Sequence, residues 1–135
     1  MESESGEQNV QKTILVVDDE PALLKMVSSV LAADDYKVLT STSGTDAVQV
    51  AKDYKQDIDL LLSDFQMPGI SGVELATQMT SQRPKLKVLL MSGFPEGMLI
   101  LNEGWHFLPK PFISSQLRAL VGGIVSPDRH SRYAK

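Results

Sequence analysis

Apolar positions along this chain follow two rhythms in turn. Short continuous runs occur at Thr13–Val17, Leu60–Ser63 and Lys87–Met91, with shorter ones at Lys37–Thr40 and Trp105–Leu108. Apolar runs on consecutive residues predict strands covered on both faces. Between them, apolar residues recur every third or fourth position, the spacing of a helix with one buried stripe. Pro21 to about Ala33 carries Leu23, Leu24, Val27, Val30 and Leu31; Gly44-Thr45-Asp46 opens a second helix with Ala47, Val48 and Ala51. A third carries Val73, Leu75, Ala76 and Met79 and is stopped near Arg83-Pro84, where proline cannot continue it. Ser114 to Ile124 is the last, with Leu117, Leu120, Val121 and Ile124 inward; between Gly97 and Glu103 there is room for only a short or irregular helix.

Strands alternating with helices predict an α/β domain built on an open parallel sheet. Right-handed crossovers leave few topologies, and the expected one is a flavodoxin-like three-layer fold of five strands in the order 2-1-3-4-5. The folded domain is expected over residues 12–125. Residues 1–11, acidic and polar, should be a disordered tail, and residues 126–135 a polar tail with Arg129, Arg132 and Lys135.

Composition narrows the classes of function. The 135 residues carry a net charge of −4 with no basic patch in the folded region, which argues against direct nucleic-acid binding. No cysteine is present, so disulfides and zinc-thiolate sites are excluded. No apolar run approaches the ~18 residues needed to span a bilayer, and the N-terminus lacks the apolar core of a signal peptide. The expected setting is the cytoplasm, without membrane insertion.

Chemistry enters where the apolar runs stop. The first ends in Asp18-Asp19-Glu20, the third in Asp64, the fourth in Ser92-Gly93 and the fifth in Lys110-Pro111. In open parallel sheets, ligands bind beyond the carboxyl ends of the strands, so all four groups should converge on one edge. Three carboxylates there would repel one another unless a hard divalent cation sat among them. Mg²⁺ is expected, with Mn²⁺ a possible substitute. Asp19 and Asp64 are the direct ligands of choice and Asp18 would hold a metal-bound water. The backbone carbonyl of Gln66 is a further candidate, because the chain turns back before Pro68. Asp64, alone at the end of the central strand, is the candidate nucleophile for an aspartyl phosphate. Lys110 and Ser92 would each take an oxygen of the transferring group, and Gly93 leaves room for the donor. Each motif also has a plain structural reading: Asp-Asp-Glu as a helix cap, Asp64 and Ser92 as turn residues, Lys110 as a solvated lysine. Their joint occurrence at strand ends favours the chemical one.

These residues resemble those of a response-regulator receiver domain. The match is carried by Val16-Val17-Asp18-Asp19-Glu20, by Asp64-Phe65-Gln66-Met67-Pro68-Gly69-Ile70-Ser71-Gly72, by Met91-Ser92-Gly93 and by Lys110-Pro111-Phe112. The resemblance implies phosphoryl transfer from a histidine kinase or histidine phosphotransfer protein to Asp64, with autodephosphorylation, and a cis Lys110–Pro111 bond. It also implies a switch in which Ser92 moves and Phe107 turns inward, changing contacts with an unknown downstream protein. Phe107 has no hydroxyl and would report by packing alone.

Three features depart from the family pattern. Gln66 lies two residues beyond the acceptor, where it would influence hydrolysis of the phosphoryl group. The segment between Ser92 and Lys110 is short, which leaves oligomeric state open. Met98–Leu101 is an apolar run expected to seal the core. A stand-alone regulator and the receiver portion of a hybrid kinase both remain open. The rival functions are a phosphorylation-independent pseudo-receiver and an aspartyl-intermediate phosphatase, which would need an acid-base Asp where Gln66 stands. His106 and His130 are expected to be structural.

Overall fold

Parallel pairing among five strands sets the frame of the molecule. The structure, a computed structural model, describes residues 11–93 and 104–126. Its elements run β1 (Thr13–Val17), α1 (Pro21–Ala33), β2 (Lys37–Ser41), α2 (Gly44–Asp53), β3 (Leu60–Asp64), α3 (Gly72–Gln82), β4 (Lys87–Ser92), β5 (Trp105–Pro109) and α4 (Ser114–Val125). Every pairing is parallel, and the order is β2-β1-β3-β4-β5, the flavodoxin-like topology expected from the sequence.

Alternation of side chains along each strand splits the interior into two cores. Ile14, Val16, Leu60, Leu62, Leu89 and Met91 face one side and pack with Val27 and Leu31 of α1 and Leu117, Val121 and Ile124 of α4. Leu15, Val17, Leu61, Val88 and Leu90 face the other and pack with Ala47 of α2 and Leu75, Ala76 and Met79 of α3. Both faces are covered, which is why β1, β3 and β4 read as unbroken apolar runs.

Helix starts follow local chemistry. Pro21 occupies the first turn of α1, where a missing N–H costs nothing. The Ser43 hydroxyl accepts from the Asp46 N–H at 3.0 Å. At α3, Ser71 and Glu74 form a reciprocal capping box at 3.1 and 2.9 Å. At α4, Gln116 accepts from the Ile113 N–H at 2.9 Å, and Ile113 has no side-chain acceptor to return the bond.

The structure departs from the sequence reading in detail. Four strands run one residue further, to Ser41, Asp64, Ser92 and Pro109, because pairing continues after hydrophobicity stops: Asp64 aligns with Met91 and Ser92 with Pro109. In α1 only Val27 and Leu31 of the expected stripe are buried; Leu23, Leu24 and Val30 pack half-buried at its margin. Most of the N-terminal tail, the 97–103 helix with Met98–Leu101, and the C-terminal tail with His130 lie outside the described residues. Among the described residues, no helix is long and apolar enough to cross a membrane.

Candidate functional site

Each strand that ends at the site stays tied to its neighbour for one bond beyond its regular ladder. The Asp18 N–H donates to the Ser41 carbonyl at 3.2 Å, Phe65 N–H to Met91 at 2.7 Å, and Lys110 N–H to Ser92 at 2.8 Å. Asp18, the residue after Asp64, and Lys110 are thereby placed by the sheet backbone rather than by loop geometry. Ser41 is not among the site residues expected from the sequence. Its only sequence signal is its place at the end of the strand that pairs with β1.

The start of α3 is pressed against the same edge. The Gly72 N–H donates to the Phe65 carbonyl at 2.9 Å. A Cβ on Gly72 would fall on the Asp64 carbonyl oxygen, with Phe65 Cα at 3.2 Å. Only glycine permits this approach.

Asp18, Asp19 and Asp64 come together, with one carboxylate oxygen from each lying within 4.8 Å of the others. They differ in setting. Asp18 is buried at 1% exposure, Asp64 is half-buried and Asp19 is exposed. Asp18 Oδ1 accepts the Glu20 N–H at 2.8 Å. Its Oδ2 is buried and is the sole side-chain nitrogen or oxygen among the described residues that is buried without a hydrogen-bond partner. The Lys110 ammonium stands 3.5 Å from it, close enough to attract it as a charge without closing a good hydrogen bond. The helix-cap explanation of Asp-Asp-Glu fails on the same geometry, since Glu20 is the N-cap of α1 and makes no side-chain capping bond.

Lys110 Nζ donates to Asp64 Oδ1 at 3.0 Å. Burial alone would lower the lysine, but its bond to Asp64 and the charges of Asp18 and Asp64 outweigh this and raise its pKa. Burial raises the pKa of Asp64, and Asp18 and Asp19 add to the rise; Lys110 opposes it without cancelling it. One ammonium among three carboxylates leaves the pocket short of positive charge. A buried orphan oxygen and three converging oxygens are the donor set that a hard divalent cation takes, so the residues present fit Mg²⁺.

Other expected residues lie as follows. Ser92 is buried at the end of β4. A Cβ on Gly93 would meet nothing within 4 Å among the described residues. Gln66 is exposed two residues past Asp64, and Phe107 is half-buried in β5 opposite Leu90. The Lys110–Pro111 bond is cis. His106 lies within β5; burial, then the charge of Lys87, lowers its pKa.

An α/β sheet of this order with an acidic cluster and a lysine at its carboxyl edge defines a class, and comparison with known proteins gives the same class. The chain belongs to the response regulator receiver domain family of two-component systems, whose model matches residues 14–122. It is 30% identical over 113 residues to the sensor kinase CckA of Brucella abortus, covering 81% of this chain and 12% of that protein. To the probable transcriptional regulatory protein TcrX of Mycobacterium tuberculosis it is 36% identical over 117 residues, covering 81% and 49%. The chain thus spans less than half the length of these relatives. Among solved structures, the receiver domain of the hybrid histidine kinase CckA superposes with a TM-score of 0.75 at 32% identity, covering 84% of this chain and 99% of that one. The response regulator TrrA of Thermotoga maritima, in complex with Mg²⁺ and BeF, superposes at 0.74 with 28% identity and coverages of 84% and 99%.

Proposed function

We propose that the chain is a phosphorylation-activated switch that accepts a phosphoryl group on Asp64 from a phosphohistidine donor in the cytoplasm. The observation that carries this reading is the pairing of Lys110 with Asp64 inside an uncompensated group of three carboxylates. Such a pocket is poised for added positive charge and for an incoming phosphoryl group.

In the proposed step, a carboxylate oxygen of Asp64 forms a bond to phosphorus while the donor's P–N bond breaks. The bonding pair leaves on the imidazole nitrogen, which takes a proton from solvent. Asp18, Asp19, Asp64 and the Gln66 backbone carbonyl would hold Mg²⁺. Bound there, the ion supplies charge neutralisation for the carboxylates and the phosphoryl oxygens. Lys110 would exchange part of its attraction to Asp64 for a phosphoryl oxygen, and Ser92 would donate its hydroxyl to another. Phosphorylation moves charge within the pocket, and Ser92 and Phe107 would convert it into a shift between two packings seen by a downstream protein. The Mg²⁺ complex of TrrA supports the choice of cation, and similarity to CckA supports a histidine kinase or histidine phosphotransfer protein as donor.

The test is intact-mass measurement after incubation with acetyl phosphate and Mg²⁺. One added phosphoryl group is expected, absent with EDTA and absent in Asp64→Asn. If no group is added and beryllofluoride also fails to bind, the reading is wrong and a phosphorylation-independent interaction module takes its place.

A further inference from the structure

The segment that joins Asp64 to α3 is held in an unusual way. Phe65 is fixed by backbone bonds to Met91 and Gly72, and Ser71 by the capping box. Between them, Gln66, Met67, Pro68, Gly69 and Ile70 make no hydrogen bond among the described residues. Their position over the carboxylate edge therefore depends on packing. Two side chains supply it. Met67 is buried in the core shared with α2 and α3, and Ile70 packs half-buried against the same core.

Ile70 has a specific seat. A Cβ on Gly44, the first residue of α2, would fall on Ile70 Cγ1, with Cδ1 at 2.9 Å and the Ile70 carbonyl oxygen at 3.2 Å. The seat exists because Gly44 has no side chain. Gly44 has no call for a special backbone angle, as it lies inside a regular helix, so its requirement is close approach alone. The start of α2 thereby serves as an anvil for the loop that follows the proposed acceptor.

We propose that Gly44 is a positioning residue for the cation site: by seating Ile70 it fixes the Gln66–Gly69 backbone beside Asp64. This rests on the reading of the pocket given above and adds a residue of α2 that does not itself touch the pocket. A methyl group at position 44 displaces Ile70 and carries the loop with it. Supporting residues around metal ligands commonly change affinity by about 10- to 100-fold when altered.

The test uses the full chain and Mn²⁺ alone, titrated by electron paramagnetic resonance. Amide spectra of the metal-free protein are recorded alongside. Gly44→Ala should weaken Mn²⁺ binding by roughly tenfold and shift the amides of Gln66, Met67 and Gly69. Ile70→Ala, which removes the colliding atoms and the packing together, should weaken binding less. In the double variant the added methyl keeps only the Ile70 carbonyl oxygen as a close neighbour, at 3.2 Å, so its affinity should come close to that of Ile70→Ala. Arg83→Ala, which loosens the fold at the opposite edge, should leave affinity unchanged and so separates positioning from general destabilisation. Wild-type affinity in Gly44→Ala, additive losses in the double variant, or an equal loss in Arg83→Ala would each overturn the proposal. Should the wild type bind no Mn²⁺, the cation site itself falls and the proposal with it; unmoved loop amides in Gly44→Ala would overturn the positioning role alone.

Discussion

The two edges of the sheet are built on opposite principles. At the amino edge, polar groups are matched. The Asp59 carboxylate accepts the Thr13 N–H at 2.8 Å, and the Asp59 N–H returns a bond to the Thr13 carbonyl at 2.8 Å. The Arg83 guanidinium donates to the carbonyls of Gln56, Ala51 and Tyr54 at 2.9–3.0 Å, closing the end of α2, and Lys37 lies 5.2 Å from the centre of the Tyr54 ring. At the carboxyl edge, among the described residues, three carboxylates share one ammonium, and a buried oxygen of Asp18 has no hydrogen-bond partner. One edge contributes stability. The other gives some of it up and holds a site that a cation and a phosphoryl group would complete.

The sharpest way to break this comparison is at Arg83. Removing its bonds to three carbonyls, two of them partly buried, should cost about 2–3 kcal/mol in urea unfolding of Arg83→Ala. A loss below about 0.5 kcal/mol, the range of unremarkable surface changes, would mean that the amino edge is not where stability is held.

The opposite sign is expected at Asp64. Its pKa is raised by burial, then by its carboxylate neighbours, so the native state binds more protons than the unfolded chain between 3.8 and the raised value. Stability of the metal-free protein from this group therefore falls as pH rises through that window. Asp64→Asn should remove the fall and raise the neutral-pH melting midpoint. Melting curves at several pH values measure both; a lower midpoint in Asp64→Asn would show that the Lys110 bond outweighs the repulsion. Mg²⁺ should raise the wild-type midpoint and leave that of Asp64→Asn nearly unmoved.

Smaller effects sharpen the contrast. Ser71→Ala loses the α3 cap for about 1 kcal/mol, read by denaturant midpoint. Arg118 pairs with Asp34 at 2.9 Å on the surface, where screening leaves such pairs little net value, and Arg118→Ala should not move the midpoint measurably.

Sheet order, and the meeting of Asp18, Asp64 and Lys110 at one edge, were legible in the sequence chiefly for one reason. Doubly covered strands must be apolar on consecutive residues, so Asp18, Asp64, Ser92 and Lys110 stand out as polar residues where those runs stop. Contacts between distant segments left no such trace. Arg83 reaches back 27 to 32 residues to its carbonyls, and Gly44 meets Ile70 across two elements; neither residue looks unusual in its own neighbourhood. The strand ends expected from hydrophobicity fall one residue short of Ser41, Asp64, Ser92 and Pro109, because backbone pairing sets a strand end and a hydrophobicity pattern does not record it. Leu23, Leu24 and Val30 show the reverse error. Helical spacing marks them as core, but they lie half-buried at the margin of α1, and Leu23 lines an open groove of about 350 Å³ with Lys110, Pro111 and Phe112.

If the unmatched edge receives a phosphoryl group, that group should be found on Asp64. Borohydride reduces an acyl phosphate to an alcohol and leaves a free carboxylate intact, so it marks the acceptor permanently. The protein is incubated with acetyl phosphate and Mg²⁺, reduced, digested and sequenced by mass spectrometry. Homoserine is expected at position 64 and at no other aspartate, dependent on Mg²⁺. An unchanged Asp64, with the phosphoryl group on another residue or none incorporated, would contradict it.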